Sequence, residues 1–270
     1  MLKGLKSDKP IPPTLVLLNG VSFSAVVGGT FDARSNSSFE ALHIEDGSHN
    51  SIRNVVAFSH VDEAWSSTVT IRGGTRHELA HSRVNGGGLA ARCAWTISTS
   101  FALVHDNVIE ECIKHALDFD AYTSSSAAYN NLARHNGPPD GYGQAIFVEE
   151  TASGNFIFNN TLTKNLNGIA VYSLDVGPVQ GNIIANNRIE DSVKYGISAG
   201  GGLEDATRES KNNIFVGNIL KNNAEGDCWI QHGSDGSVEG DYWVSNVGDG
   251  QKIDWQANPE SSSAVSVFDP

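Results

Sequence analysis

Residues 154–202 say one thing twice. Asn155-Phe156-Ile157-Phe158-Asn159-Asn160 returns as Asn182-Ile183-Ile184-Ala185-Asn186-Asn187. Each is followed by a second apolar burst, Gly168-Ile169-Ala170-Val171-Tyr172 and then Gly196-Ile197-Ser198-Ala199. A unit of two short strands cannot bury its own apolar face, so neighbouring units must stack to make a core. The repeat therefore restricts the chain to a solenoid.

The register extends well beyond these two units. Markers at Asn136, Asn160, Asn187, Asn218 and Asn246 each carry Asn, or Asp241, five residues earlier, and upstream Asn107 and Asn54 fit, with Arg83 in the slot between them. From residue 54 the spacings are 29, 24, 29, 24, 27, 31 and 28, a wandering period whose variation falls in loops. No unit sustains the i, i+3, i+4 pattern of a helix. A propeller blade needs roughly 40 residues. The length fits one coil of a parallel β-helix, and the crossover preference of parallel strands makes it right-handed. We expect an all-β, single-domain right-handed parallel β-helix of at least seven coils. It comprises a lead-in or cap over 1–22, the solenoid over 23–250 and a tail over 251–270.

Asn suits such coils twice over. It tolerates the left-handed conformation that sharp turns require, and stacked Asn side chains hydrogen-bond along an axis as a ladder. Composition agrees: charged residues are 18% and Gly is 28 of 270. The net charge of −13 argues against nucleic acid and anionic membranes as partners. No apolar run is long enough to span a bilayer. The N-terminus shows no signal-peptide pattern, yet the architecture favours an extracellular or periplasmic setting for a processed chain.

Ten and twelve residues past the markers stand Cys93/Trp95, Leu117/Phe119, Ile146/Val148, Ile197/Ala199 and Cys228/Ile230, with Ile169/Val171 slipped by one. These are read as inward positions. Cys93 and Cys228 then become buried thiols about 24 Å apart, five coil spacings of roughly 4.8 Å. The residues between point outward. One outward column reads Ala94, Asp118, Phe147, Ala170, Ser198, Trp229; the next reads Thr96, Asp120, Glu149, Tyr172, Gly200, Gln231.

Asp118, Asp120 and Glu149 thus share two adjacent coils beside Phe147, Tyr172 and Trp229. Crowded carboxylates raise the pKa of at least one member, which gives an acid and a base in one place, and aromatic faces suit sugar rings. We take these three carboxylates as catalytic. Phe147, Tyr172 and Trp229, with His115, Tyr122, Lys194, Arg92, Gln231 and His232 near the same face, are taken as substrate-binding. No metal-ligand set stands out: His60, His77 and His81 lack the context, although the carboxylates have the oxygen ligands that suit Ca²⁺. No cofactor is required.

These repeats, over roughly residues 40–246, resemble the right-handed β-helix superfamily of pectate lyases, polygalacturonases, alginate lyases and epimerases, and phage tailspikes. Asp118 and Asp120 echo the clustered Asp residues of polygalacturonases, without that family's Asn-Thr-Asp and Arg-Ile-Lys signatures. Mannuronan epimerases are similar in placing Asp-Pro-His at the end of this strand, where this chain has Asp120-Ala121-Tyr122. The resemblance implies a polysaccharide or oligosaccharide partner. Three functions follow: a carboxylate-based glycoside hydrolase or glycosyl transferase, a lyase or C5-epimerase on a uronate polymer, and a non-catalytic glycan-binding or structural solenoid. The acidic face favours the first, because an anionic polymer would be repelled without calcium.

Overall fold

The computed structural model describes residues 13–35, 40–60, 67–138, 142–173, 177–200, 210–231, 241–248 and 253–256, with backbone only for Gln231 and 253–256. Among these residues there is no helix. Three parallel sheets run the length of the molecule, and the chain visits each once per coil. The first sheet has ten strands: Thr14–Asn19, Glu40–Glu45, Val69–Arg72, Arg92–Ile97, His115–Asp120, Ile146–Val148, Ile169–Tyr172, Tyr195–Gly200, Gly226–Gln231 and Ile253–Gln256. The second sheet, from Ala25–Val27 to Tyr242–Val244, and the third, from Thr30–Asp32 to Val247–Gly248, have nine each.

The core is a set of vertical columns. In the second sheet Ile52, Leu79, Val104, Ala128, Ile157, Ile184 and Phe215 stack in register. In the third sheet Ala57, Val84, Ile109, Ala133, Leu162, Ile189 and Leu220 do the same. All are buried. Each full burial of an Ile or Leu stabilises the fold by about 1.5–3 kcal/mol, which offsets the ordering of so many short strands.

The corners explain the Asn pairs, and the two members do different work. The first member takes the left-handed backbone, with φ of 53–55° at Asn130, Asn159, Asn186, Asn212 and Asn222. The second turns inward and joins a ladder: Nδ2 of Asn107, Asn131, Asn160, Asn187 and Asn218 donates to Oδ1 of the next member, ending at Asn246, at 2.8–3.0 Å. A parallel ladder at the neighbouring corner runs Asn155, Asn182, Asn213, Asp241. Asn136 belongs to a third corner, where it donates to Asn165. The expected succession Asn107, Asn136, Asn160 is therefore corrected to Asn107, Asn131, Asn160. The reason is an insertion. From Asn131 to the inward Ile146 is 15 residues, against 10 from Asn107 to Leu117, and the surplus is the segment containing Gly137 and Tyr142.

A smaller insertion displaces the coil two before it. From the ladder position Ser82 to the strand takes two extra residues at the turn containing Gly86-Gly87-Gly88. Ala94 and Thr96, paired with Leu117 and Phe119, face the core, and Trp95 pairs with Asp118 on the outer face. Cys93 is no free thiol either: it forms a disulfide with the corner residue Cys112, Cα–Cα 5.8 Å. Cys228 is the buried free thiol expected. The solenoid is also longer than 23–250. Val16 and Leu18, within the expected lead-in 1–22, pack on the core from a strand paired with Glu40–Glu45, and Ile253–Gln256 adds a rung. The charged segment 201–209 and the serines at 261–263 lie outside the described residues.

Candidate active site

The outer face of the first sheet carries the register expected for the carboxylates. Asp118 pairs with Phe147, Phe147 with Ala170, Ala170 with Ser198 and Ser198 with Trp229. Asp120 ends its strand beside Glu149, whose N–H donates to Phe119 O at 2.9 Å. Alternation along a strand puts Asp118 and Asp120 on one side, and the coil spacing brings Glu149 to them. Carboxylate oxygens of all three lie within 4.8 Å of one another.

These side chains point away from the core but are not solvated. Asp118 is 0% exposed, Asp120 4% and Glu149 4%. Arg92, also buried, donates from Nε to Asp118 Oδ2 at 2.6 Å and lies 3.9 Å from Glu149 Oε1. Trp95 donates from Nε1 to Asp120 Oδ2 at 2.9 Å, and the Ala121 N–H donates to the other oxygen. The Arg92 guanidinium also lies 5.0 Å from the Trp95 ring centroid.

One cation among three buried carboxylates leaves excess negative charge, and the group responds by holding protons. Desolvation raises Asp118 to about 7, with Arg92 opposing and Asp120 reinforcing the rise. Glu149 is raised well above the carboxylate range by desolvation, and further by the charges of Asp118 and Asp120. His115 is pushed well below its ordinary value by burial and by Arg92 and Lys114, so it stands neutral. An acid held protonated near neutral pH beside hydrogen-bond-accepting carboxylates can donate to a leaving oxygen.

Aromatic side chains close round the cluster. Phe147, fully buried, packs against His115 at 4.9 Å and Tyr172 at 5.0 Å between ring centroids. Tyr142, 41% exposed, places its hydroxyl 3.2 Å from that of Tyr172, which also accepts from Gln144 Nε2 at 3.1 Å. Burial and the nearby Glu149 charge raise Tyr172 to about 12, with the Tyr142 hydrogen bond opposing.

Of the residues assigned to substrate binding, Arg92, His115, Phe147 and Tyr172 meet the carboxylates directly or through one neighbour. Tyr122, exposed with φ of 62°, turns the chain two residues after Asp120. Trp229 stands three coils from Phe147, stacked on Tyr195 at 5.8 Å. Lys194 leads into the strand Tyr195–Gly200, two coils from Glu149. Gln231 pairs with Gly200 through its backbone. His232 lies outside the described residues.

Sequence reasoning missed Trp95, Tyr142 and Gln144. Trp95 was hidden because Arg83, the residue in the slot between Asn54 and Asn107, stands one position past the ladder residue Ser82, which inverts the side of every residue counted from it. Tyr142 and Gln144 lie on the segment inserted between Asn131 and Ile146, and no repeat pattern there says against which coil they fold.

Many solved structures share this architecture. The chain matches the Dettilon tailspike protein (gp208) at 14% identity and TM-score 0.67, covering 89% of this chain and 50% of that one. It matches the periplasmic alginate epimerase AlgG at 17% identity and TM-score 0.65, covering 84% and 55%. It matches the catalytic domain of a GH87 α-1,3-glucanase in complex with nigerose at 13% identity and TM-score 0.61, covering 85% and 49%. This chain thus spans about half the length of those chains, and at such identities the likeness is one of fold. No curated protein matches the chain in sequence. A family model described as the right handed beta helix region matches residues 32–179, more than half of the sequence, so the chain belongs to the right-handed β-helix family.

Proposed function

We propose that this chain is a carbohydrate-active enzyme that cleaves glycosidic bonds of a poly- or oligosaccharide, by hydrolysis or glycosyl transfer. One observation carries the reading. Asp118, Asp120 and Glu149 lie within 4.8 Å of one another, buried, with a single arginine among them. Such a group has to retain a proton near neutral pH, and the acid it creates sits beside carboxylates that can act as base or nucleophile.

Glu149 donates its proton to the glycosidic oxygen as the C–O bond to the anomeric carbon breaks. Asp120, oriented by Trp95 and the Ala121 N–H, then takes a proton from the water or acceptor hydroxyl that adds there, or attacks the carbon itself. Asp118 holds Arg92 in place and keeps the Glu149 pKa high. Phe147 and Tyr172 wall the site, and Tyr122 and Tyr142 bring aromatic surface to solvent beside it. Trp229 is placed to serve a more distant sugar unit along the solenoid.

Two of the similar structures carry names that fit a glycan substrate, the glucanase with nigerose and the alginate epimerase. A lyase or epimerase on a uronate polymer needs a cation for the substrate carboxylate, and Arg92 is already engaged by Asp118. Hydrolysis or transfer is therefore the better fit. The Cys93–Cys112 disulfide supports an extracellular or periplasmic setting, where such bonds persist.

The test is a reducing-end assay on a panel of neutral and acidic polysaccharides, with absorbance of unsaturated uronate followed in parallel, with and without EDTA. New reducing ends without unsaturated product support the proposal. Unsaturated product means a lyase, and glycan binding without any product means a non-catalytic solenoid.

A further inference from the structure

A second cluster lies on a different corner of the solenoid. His81 and Asp106 occupy equivalent left-handed corner positions of adjacent coils, with φ of 51° and 55°. His105 precedes Asp106 at the end of its strand. Its Nδ1 lies 2.7 Å from Asp106 Oδ2, and its Nε2 lies 2.9 Å from Glu78 Oε1. The ring is clamped: it stacks on Tyr129 at 4.6 Å and 2°, Tyr129 stacks on Phe158 at 5.0 Å, and His81 meets it edge-on at 5.5 Å. One potential ligand atom from each of His81, His105 and Asp106 lies within 4.8 Å of the other two.

We propose that His81, His105 and Asp106 form a binding site for a borderline divalent transition metal, of which Zn²⁺ is the representative. Two imidazoles and one carboxylate are a donor set that suits zinc, with a fourth position for water. The decisive feature is Glu78. A ligating histidine characteristically donates its other ring N–H to a carboxylate, which fixes the tautomer and orients the ring. Glu78 makes that contact with Nε2 and leaves Nδ1 facing Asp106, on the side where a metal would sit. Arg53 in turn holds Glu78 through Nε at 2.5 Å, and Asn130 Nδ2 holds the second Asp106 oxygen at 3.3 Å. Tetrahedral zinc needs ligand atoms roughly 3.3–3.5 Å apart. His81 and Asp106 are exposed, so their side chains are free to close the remaining distance. A bound ion would pin neighbouring coils together at a corner whose equivalents in the next three coils are Asn130, Asn159 and Asn186.

The test uses the full chain, stripped with EDTA and dialysed. Calorimetric titration with ZnCl₂ at pH 7.5 is expected to show one saturable site, and excess zinc is expected to raise the melting temperature. His81→Asn keeps a residue that tolerates the left-handed turn, so the variant should melt like the metal-free wild type and lose the zinc-dependent shift. Glu78→Gln should bind about 10–100-fold more weakly. Absence of a saturable zinc site in the wild type, or unchanged affinity in His81→Asn, overturns the proposal.

Discussion

Replacing Asp118 by Asn should change stability by an amount that depends on pH in a direction opposite to most carboxylates. Asp118 titrates at about 7 in the folded chain against 3.8 for an unperturbed Asp. Between those values the folded state binds a proton that the unfolded chain has released, so stability falls as pH rises. The shift of about 3 units, at 1.36 kcal/mol each, comes to at most about 4 kcal/mol lost between pH 4 and pH 8. Asparagine does not titrate. The variant's stability minus that of the wild type should therefore rise by up to about 4 kcal/mol over this range. Part of the gain flows through Glu149, which loses a like-charged neighbour, with the same sign. The difference is the right observable, because His77 pulls the other way. Burial lowers it to about 4, so its stabilisation is present above its unfolded pKa of 6.5 and lost as pH falls toward 4. That contribution is common to both proteins and cancels. The lost Arg92 contact sets an offset at every pH. Urea unfolding of both proteins at pH 4, 5, 6, 7 and 8 reads the slope. A difference flat to within about 1 kcal/mol, or falling with pH, would refute the claim that this cluster is held protonated by burial.

Other consequences are as concrete. Asn160→Ala should cost about 2–4 kcal/mol in urea unfolding, because it strands the Ala128 carbonyl and the Asn131 N–H and Nδ2 in a dry corner. Asn159→Ala, which strains only the left-handed turn, should cost about 1–2 kcal/mol. Equal losses from the two would contradict the division of labour within the pair. Peptide mapping without reductant should recover Cys93 linked to Cys112, and Cys228 should react with thiol reagents only on unfolding, since burial also raises its pKa. Reducing the disulfide, which closes a 19-residue separation, should lower stability by about 3 kcal/mol.

The solenoid was legible because its signal repeats: an apolar column and an Asn corner recur in every coil, and a single misread unit does not hide them. The errors fell where coils differ in length. Asn136 looked like the successor of Asn107 because three corners, not one, carry Asn, and the longer coil containing Tyr142 let either choice fit. Trp95 was turned inward because Arg83 stands one residue past the ladder position Ser82, and a slip of one position reverses every side chain of a strand. Asp118 and Asp120 were placed outward because their coil keeps the register, and Glu149 because the five-residue displacement of its marker, Asn136 for Asn131, equals the five residues inserted before Ile146. Their burial was not legible, because outward from the core does not mean exposed when other side chains cover the sheet. The disulfide and the His81–His105–Asp106 cluster were invisible for one reason: each joins residues about 20–25 positions apart that only the stacking of coils brings together.

The central claim is that the buried carboxylates perform the chemistry, and turnover by the amide variants tests it most directly. Once a substrate is found in the polysaccharide panel, Glu149→Gln and Asp120→Asn should each lower kcat by at least about 100-fold, the usual size of a lost acid or base. Circular dichroism at the assay pH should show both variants folded, and both should still bind the glycan. Folded variants that turn over substrate at near wild-type rates would place the chemistry elsewhere on the molecule.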